Sequence, residues 1–286
     1  MEIVNYYDLK NIKNLNYGSY SYVYSCLFDD KVYAFKEYSD YRYLYGKKRK
    51  LNNLSKNVTC GNLILPKYFV KKDDKTIGIL TEFSNFSQLD KYDCADIKTK
   101  IMLLKKVKET IENMHKEGII HTDLHEGNIL ADDASCGVNI IDFDNASYKG
   151  SEIKIDETNE YSQDFIRYYG LTNEVDTFIF NLVTYMIINE SRFYSARYEI
   201  AEGKYGLFND NKEAKKICDS LLLNDKVANK DYLIDTIDES ILRRWFIYFY
   251  IIRTRSFNNI TINIKTRSMT RTIPCFIYVI KHQKAL

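Results

Sequence analysis

The hydrophobic pattern changes its period once along this 286-residue chain. Up to about residue 83 the apolar residues alternate as in strands, with one helical patch. From about residue 96 onward they recur at intervals of three and four, as in helices. The chain therefore has a β-rich first part and a mostly helical second part. No Pro/Gly-rich linker, low-complexity tract or repeat interrupts either part.

In the first part, Tyr22–Phe28 and Val32–Lys36 flank Asp29-Asp30-Lys31 and predict a β-hairpin. Side chains alternate across a strand, so Val32, Ala34 and Lys36 share one face. A lysine in line with a small alanine suits a flat ligand over the alanine and an anion near the lysine; a surface lysine at a strand end fits the same pattern. Ile64–Val70 and Thr76–Phe83 predict two further strands. Between the pairs, residues 47–56 predict a short amphipathic helix on Leu51 and Leu54, with Lys47-Lys48-Arg49-Lys50 as a solvated face.

In the second part, Ile97, Ile101, Leu104, Val107, Ile111 and Met114 predict a helix from Ile97 to His115, stopped by Gly118. A second helix, about Val175 to Ile188, is apolar on nearly every face and should be central. Asp176 in its first turn is read from spacing alone as an N-cap carboxylate or something more specific. The last hundred residues look helical. Trp245–Ile252, the most hydrophobic stretch, reads as a buried helix.

Residues 121–144 carry the chemistry. Ile129–Ala131 and Val138–Ile141 read as two short strands, joined by turn residues 132–137. An antiparallel hairpin places Asn128 and Asp142 together at its open end. One amide oxygen and one carboxylate, with room for water and phosphate, suit Mg²⁺. Asp123, five residues before Asn128, is placed to hold a substrate hydroxyl.

A formal charge of +2 gives no argument for nucleic acid. Six scattered cysteines, without a C-x-x-C pair, read as reduced thiols, so a cytoplasmic setting is expected. No apolar run approaches the length of a membrane span, and the first residues lack a signal-peptide pattern.

Taken in order, these residues resemble the protein-kinase-like fold over roughly residues 15–188. Leu15–Val23 resembles its glycine-rich loop with only the middle glycine, Gly18, kept. Tyr33-Ala34-Phe35-Lys36 resembles the strand bearing the phosphate-binding lysine, and Thr81-Glu82-Phe83-Ser84 the hinge. His121-Thr122-Asp123 resembles the catalytic loop, and Asp142-Phe143-Asp144 the metal-binding triplet. Asp176-Thr177-Phe178 resembles the start of the central helix, whose aspartate braces that loop.

The resemblance implies an α+β, bilobal protein-kinase-like fold. Residues 1–83 would form a small antiparallel β-sheet N-lobe and 84–286 a mainly helical C-lobe. It implies a site with ATP and Mg²⁺ (or Mn²⁺) as cofactors. Gly18, Val23, Ala34, Lys36, Glu82, Ser84 and Leu130 would bind the nucleotide, and Asn128 and Asp142 the metal. Asp123, Lys36, Asn128 and His125 would carry the catalysis.

Four departures bear on function. No glutamate lies between Glu37 and Glu82 to pair with Lys36, which must find Asp142 or the phosphates instead. Thr122 stands where an arginine is common, so activity should not depend on a phosphosite between Ser147 and Ser162. His125 stands where protein kinases keep lysine; the wording resembles aminoglycoside- and choline-type phosphotransferases, and His125 either contacts the γ-phosphate or packs the loop. Asp144 replaces the triplet's glycine, and no Ala-Pro-Glu element follows. The leading expectation is an atypical serine/threonine kinase acting on a protein. A small-molecule phosphotransferase and a nucleotide-binding interaction module remain beside it.

Overall fold

The computed structural model describes residues 1–242 other than 19, 92–95, 133, 225 and 239–240, together with the hairpin strands 262–266 and 269–273. The chain divides into two compact units, Met1–Thr236 and Ile237–Leu286.

The first unit begins with β1 (Glu2–Asn5), β2 (Lys10–Tyr17), β3 (Ser21–Phe28) and β4 (Lys31–Tyr38). Helix α1 (Lys47–Asn57), β5 (Pro66–Lys72) and β6 (Lys75–Glu82) follow. The six strands form one sheet in the order β1-β5-β6-β4-β3-β2, antiparallel throughout except where β1 runs parallel to β5. The β3–β4 hairpin turns through Asp29 and Asp30 at φ 47° and 55°. This left-handed pair matches the strand twist, and short polar side chains tolerate it.

One face of the sheet is greasy: Cys26, Tyr33, Phe35, Val70 and Leu80 pack with Val4 and Leu9 of the N-terminal segment. By register, Ala34 lies opposite Ser25 and Thr81, and Lys36 opposite Val23 and Ile79, all on the other face. This face borders the cleft. Gly78 holds β4 and β6 close, because a Cβ there would sit 2.3 Å from the Lys36 carbonyl oxygen and 2.7 Å from the Phe35 ring. Gly78→Ala is therefore expected to cost about 1–3 kcal/mol by overpacking. Urea unfolding of the variant checks this; a cost of a few tenths would mean the strands part freely.

Helix α1 corrects one expectation. Lys48 and Arg49 are exposed, but Lys47 and Lys50 are buried with Leu51 and Leu54. Positions 47, 50, 51 and 54 form one inward stripe of the helix. Half of the basic run therefore faces the protein.

The rest of the unit is mainly helical. It comprises β7 (Ser87–Gln88), α2 (Ile97–Lys116), β8 (Ile119–Ile120), β9 (Ile129–Asp132), β10 (Gly137–Ile140) and β11 (Ser147–Tyr148). Helices α3 (Glu160–Tyr169), α4 (Glu174–Asn189), α5 (Phe193–Ala201) and α6 (Lys212–Ser220) follow. Gly118, at φ 77°, ends α2 by donating its N–H to His115 O at 2.9 Å. Helix α4 is buried along almost its whole length. The β9–β10 hairpin pairs Ile129 with Ile140, and β7 extends it as a third strand.

In the second unit, β12 (Ile262–Thr266) pairs antiparallel with β13 (Met269–Ile273). The helical expectation fails here. Ile262, Ile264 and the threonines around them alternate with polar residues, which is a strand pattern. Trp245–Ile252 lies outside the described residues.

Candidate active site

The loop between β8 and β9 is held from below by Asp176. This carboxylate is fully buried in the first turn of α4. It accepts the backbone N–H of His121 at 2.8 Å and of Thr122 at 2.9 Å, and lies 2.9 Å from His115 Nε2. The N-cap alternative for Asp176 does not hold, since Asn173 is the capping residue of α4. Thr122 is buried at φ 66°, a left-handed conformation costly for a β-branched residue and fixed here by the Asp176 bond.

His121 ties the loop to the chain just after β10. Its Nδ1 accepts the Asp123 N–H at 3.3 Å, so Nε2 is the nitrogen that donates to Ile141 O at 2.8 Å. Its ring meets Phe143 edge-on, with centroids 4.8 Å apart. Both ends of the 121–144 stretch thus bear on one imidazole.

Asp123 is half-buried. Its Oδ1 accepts the N–H of Asn159 at 3.0 Å and the Asn159 side-chain amide at 2.8 Å. Asn159 also caps α3 through Ser162 N–H. Asn128 donates its amide to the Asp123 carbonyl oxygen at 2.8 Å, which leaves its Oδ1 as an acceptor. The Ile141 N–H bonds to the Asn128 carbonyl oxygen at 3.0 Å. Asn128 and the residue before Asp142 are therefore adjacent, as the hairpin register requires.

Lys36 crosses the cleft to this end of the hairpin. Its Nζ lies 2.5 Å from Asp142 Oδ1 and 3.1 Å from Asp144 Oδ2. The Tyr38 hydroxyl donates to Asp144 at 2.7 Å. Burial opposes the charge on Lys36, but the two carboxylates hold its pKa above the usual lysine range. Burial and the Asp144 charge push Asp142 up to about 6, against the pull of Lys36. For Asp144 burial is outweighed by Lys36, Lys47 and Tyr38, so its carboxyl stays below the ordinary range. Asp142 turns at φ 69°, a cost accepted where the chain brings the carboxylate to the lysine.

Asp144 thus supplies the second carboxylate that α1 lacks. Asp144→Gly removes the acceptor of a buried hydroxyl and one partner of Lys36, at an expected cost of about 2–3 kcal/mol. Tyr38→Phe should cost about 1 kcal/mol, and the double variant less than the sum. Urea unfolding of the four proteins measures the coupling, and strict additivity would separate Tyr38 from Asp144.

The remaining sequence candidates lie around this centre. Val23, Ala34 and Lys36 are on the cleft-side face of the sheet. Glu82 ends β6, exposed, with its carboxylate on Lys67. Ser84 follows in the non-regular stretch 83–86, its Oγ accepting from Phe86 N–H and Asn139. Leu130 is half-buried on β9. Gly18 closes the β2–β3 turn through Ser21 O at 2.8 Å. His125 is the exception. Its Nδ1 accepts the Gly127 N–H at 3.1 Å and its ring sits 6.5 Å from Phe193, the loop-packing alternative for this residue.

Three features escape sequence reasoning: the Asn159 clamp on Asp123, the second partner of Lys36, and a buried ion pair from Lys47 on α1 to Glu157. The partners in these pairs are 36 to 110 residues apart.

The oxygens present fit a hard cation. Asn128 Oδ1 and the Asp142 carboxylate are two oxygen donors at one hairpin end. Among the described residues no cluster of three or more His, Cys, Asp or Glu could hold a metal alone. A two-donor site completed by phosphate oxygens and water is the coordination Mg²⁺ prefers.

The family model of the protein kinase domain matches residues 9–238. This chain belongs to the protein kinase family. It is similar to the serine/threonine-protein kinase csk1 of Schizosaccharomyces pombe, 28% identical over 89 residues that cover 30% of this chain and 29% of the relative. It is also similar to the serine/threonine-protein kinase PKH2 of Candida albicans, 29% identical over 172 residues, 55% of this chain and 17% of the relative. The matched parts span less than a third of either curated relative's length. The six-stranded sheet and the helical part behind it are the two lobes of the kinase fold. No helix among the described residues is long and apolar enough to cross a membrane.

Proposed function

We propose that this kinase-family chain is an ATP- and Mg²⁺-dependent phosphotransferase acting on a serine or threonine hydroxyl of a protein. The observation that carries the reading is the reach of Lys36 to Asp142 at 2.5 Å, across 106 residues of sequence. That contact joins the sheet to the hairpin end beside the braced catalytic loop. Bound Mg²⁺–ATP would supply the transferable phosphoryl group and neutralise its developing charge.

This chain's residues do the rest. Asn128 and Asp142 would hold the cation, and Lys36 would neutralise phosphate oxygens. Val23, Ala34 and Leu130 would enclose the base, and the backbone at Glu82 and Ser84 would read its edge. Asp123 orients the acceptor hydroxyl and takes its proton at Oδ2, because Asn159 occupies Oδ1. Asp144 supports the active reading over the interaction-module one: Lys36 keeps two carboxylate partners without a glutamate on α1.

The test incubates the full chain with γ-labelled ATP and Mg²⁺ or Mn²⁺, with a generic protein acceptor or pooled metabolites. Label on protein serine or threonine, lost in Asp142→Ala, is the expected result. Label confined to small molecules, or nucleotide binding without transfer, overturns it.

A further inference from the structure

Asp142 and Asp144 form a carboxylate pair at the hairpin end. Their carboxyl groups lie within hydrogen-bonding reach of each other. Both contact one nitrogen, Lys36 Nζ, at 2.5 and 3.1 Å. Lys47 also bears on Asp144, but its ammonium is paired with Glu157. Two negative charges thus share one ammonium in direct contact, and Asp144 is the deeper of the two, its side chain 12% exposed.

The oxygens around this pair are only partly used. Both side-chain hydrogen bonds to Asp144, from Lys36 and from the Tyr38 hydroxyl, fall on Oδ2. No N–H of a described residue donates to its Oδ1. Asn128 is 7% exposed, and its side-chain bonds to Asp123 all come from the amide nitrogen. No described residue donates to its Oδ1 either. A buried amide oxygen without a donor, next to two carboxylates already gathered on a cation, calls for a positive ion. Mg²⁺ and Mn²⁺ take such hard oxygen donors.

We infer that Asp144 is a third protein ligand for the divalent cation, beside Asn128 and Asp142, and that the Lys36 ammonium takes this place in the chain without nucleotide. The inference rests on the reading of Asn128 and Asp142 as cation ligands and goes beyond it. The glycine of the family pattern offers no side-chain oxygen here. A lysine bonded to both carboxylates competes with a cation for the same oxygens. Without that ammonium the pair carries two negative charges, which one divalent cation cancels. The cation is then held by the protein as well as by the nucleotide, and its affinity depends on where Lys36 lies.

The test titrates the full chain with Mn²⁺ alone, without nucleotide, and follows free Mn²⁺ by electron paramagnetic resonance. Wild type is compared with Lys36→Met, and with Lys36→Met combined with Asp144→Asn, Asp142→Asn or Asp144→Cys. Circular dichroism checks folding. Lys36→Met should bind one Mn²⁺ at least about tenfold more tightly than wild type, because a like charge no longer sits on two of the ligands. Mn²⁺ should also raise its Tm. Adding Asp144→Asn should weaken that binding by at least about tenfold, a loss that even an outer-shell contact of a metal site brings; asparagine keeps an oxygen for the Tyr38 hydroxyl. Adding Asp144→Cys should move the preference from Mn²⁺ to Cd²⁺, with a thiolate-to-Cd²⁺ charge-transfer band beyond that of the six native cysteines. A role through charge or packing alone does not produce that band. If the Lys36→Met variants do not fold, Asp144→Asn with Lys36 kept is compared with wild type under an unreactive ATP analogue, where the same loss of about tenfold is expected. Mn²⁺ affinity unchanged by Lys36→Met, a loss under about threefold on Asp144→Asn, or no new band on Asp144→Cys overturns the inference. Loss on Asp142→Asn but not on Asp144→Asn overturns it alone and leaves Asn128 and Asp142 as the ligands. Loss on neither overturns the cation assignment as well.

Discussion

Replacing Asp176 with alanine is expected to lower the unfolding free energy by about 3–5 kcal/mol, the largest effect of any single change outside the apolar core. The carboxylate is fully buried and accepts two backbone N–H groups, from His121 and Thr122. Bonds to a charged acceptor contribute about 1.5–3 kcal/mol each, and alanine leaves both donors buried without one. His115 loses its partner as well. Thr122 is released from a left-handed conformation that Asp176 holds, so the loop relaxes away from the shape that presents Asp123. Asp176→Asn separates charge from shape: it keeps one acceptor oxygen but sets an amide N–H against a backbone N–H, and should recover less than half of the loss. Urea denaturation of the three proteins gives the values. A cost under about 1 kcal/mol for the alanine variant would mean that water replaces the carboxylate and that the brace is not structural.

The parts of the fold that were legible share a local cause. The β9–β10 hairpin is short, alternates cleanly and carries turn residues between its strands. Helix α2 announces both its apolar stripe and its terminal Gly118. Strand β2 was not legible, because almost every residue of Lys10–Tyr17 is exposed and an edge strand without a buried face leaves no period to read. Strand β1 is four residues long and has only Val4 buried.

The site divides in the same way. Asp123, Asn128 and Asp142 lie within one hairpin and its approach, so their convergence follows from spacing. The electrostatic partners do not. Lys47 and Lys50 read as solvated because a lysine counts as polar in any helical pattern, whatever carboxylate waits across the fold. Glu157, 110 residues later, leaves no local sign of its role. Asp144 was visible only as a misfit to the family pattern.

Two of the misfits prove to be one rearrangement. The helix that lacks a glutamate for Lys36 carries a lysine that pairs with Glu157, while the triplet that lacks its glycine supplies Lys36 with Asp144. The positive charge on α1 and the extra negative charge after Phe143 have in effect exchanged places with the usual arrangement. Lys36 is tied to the hairpin end directly, and α1 is tied to the following segment by its own ion pair. The register of α1 should therefore bear less on the position of Lys36 than a helix-borne glutamate would.

Asp123→Asn is expected to lower phosphoryl transfer by about 10²–10⁴-fold, the range of a positioned general base. The substitution preserves the shape and size of the side chain, and its remaining oxygen can still accept from Asn159. What it removes is the charge that orients an acceptor hydroxyl and the atom that takes its proton. Nucleotide affinity should change by less than about threefold, because Asp123 is placed to act on the acceptor. Transfer from labelled ATP, measured beside nucleotide binding by calorimetry, tests both halves. A parallel loss of binding and transfer would show that Asp123 shapes the nucleotide cleft, and the hydroxyl would then need another base. Transfer within a few-fold of wild type would place catalysis in the positioning of the acceptor alone. Asn159→Ala then offers a graded comparison: it removes the side-chain amide from Asp123 Oδ1 but keeps the backbone N–H bond and the charge, so transfer should fall by less than in Asp123→Asn.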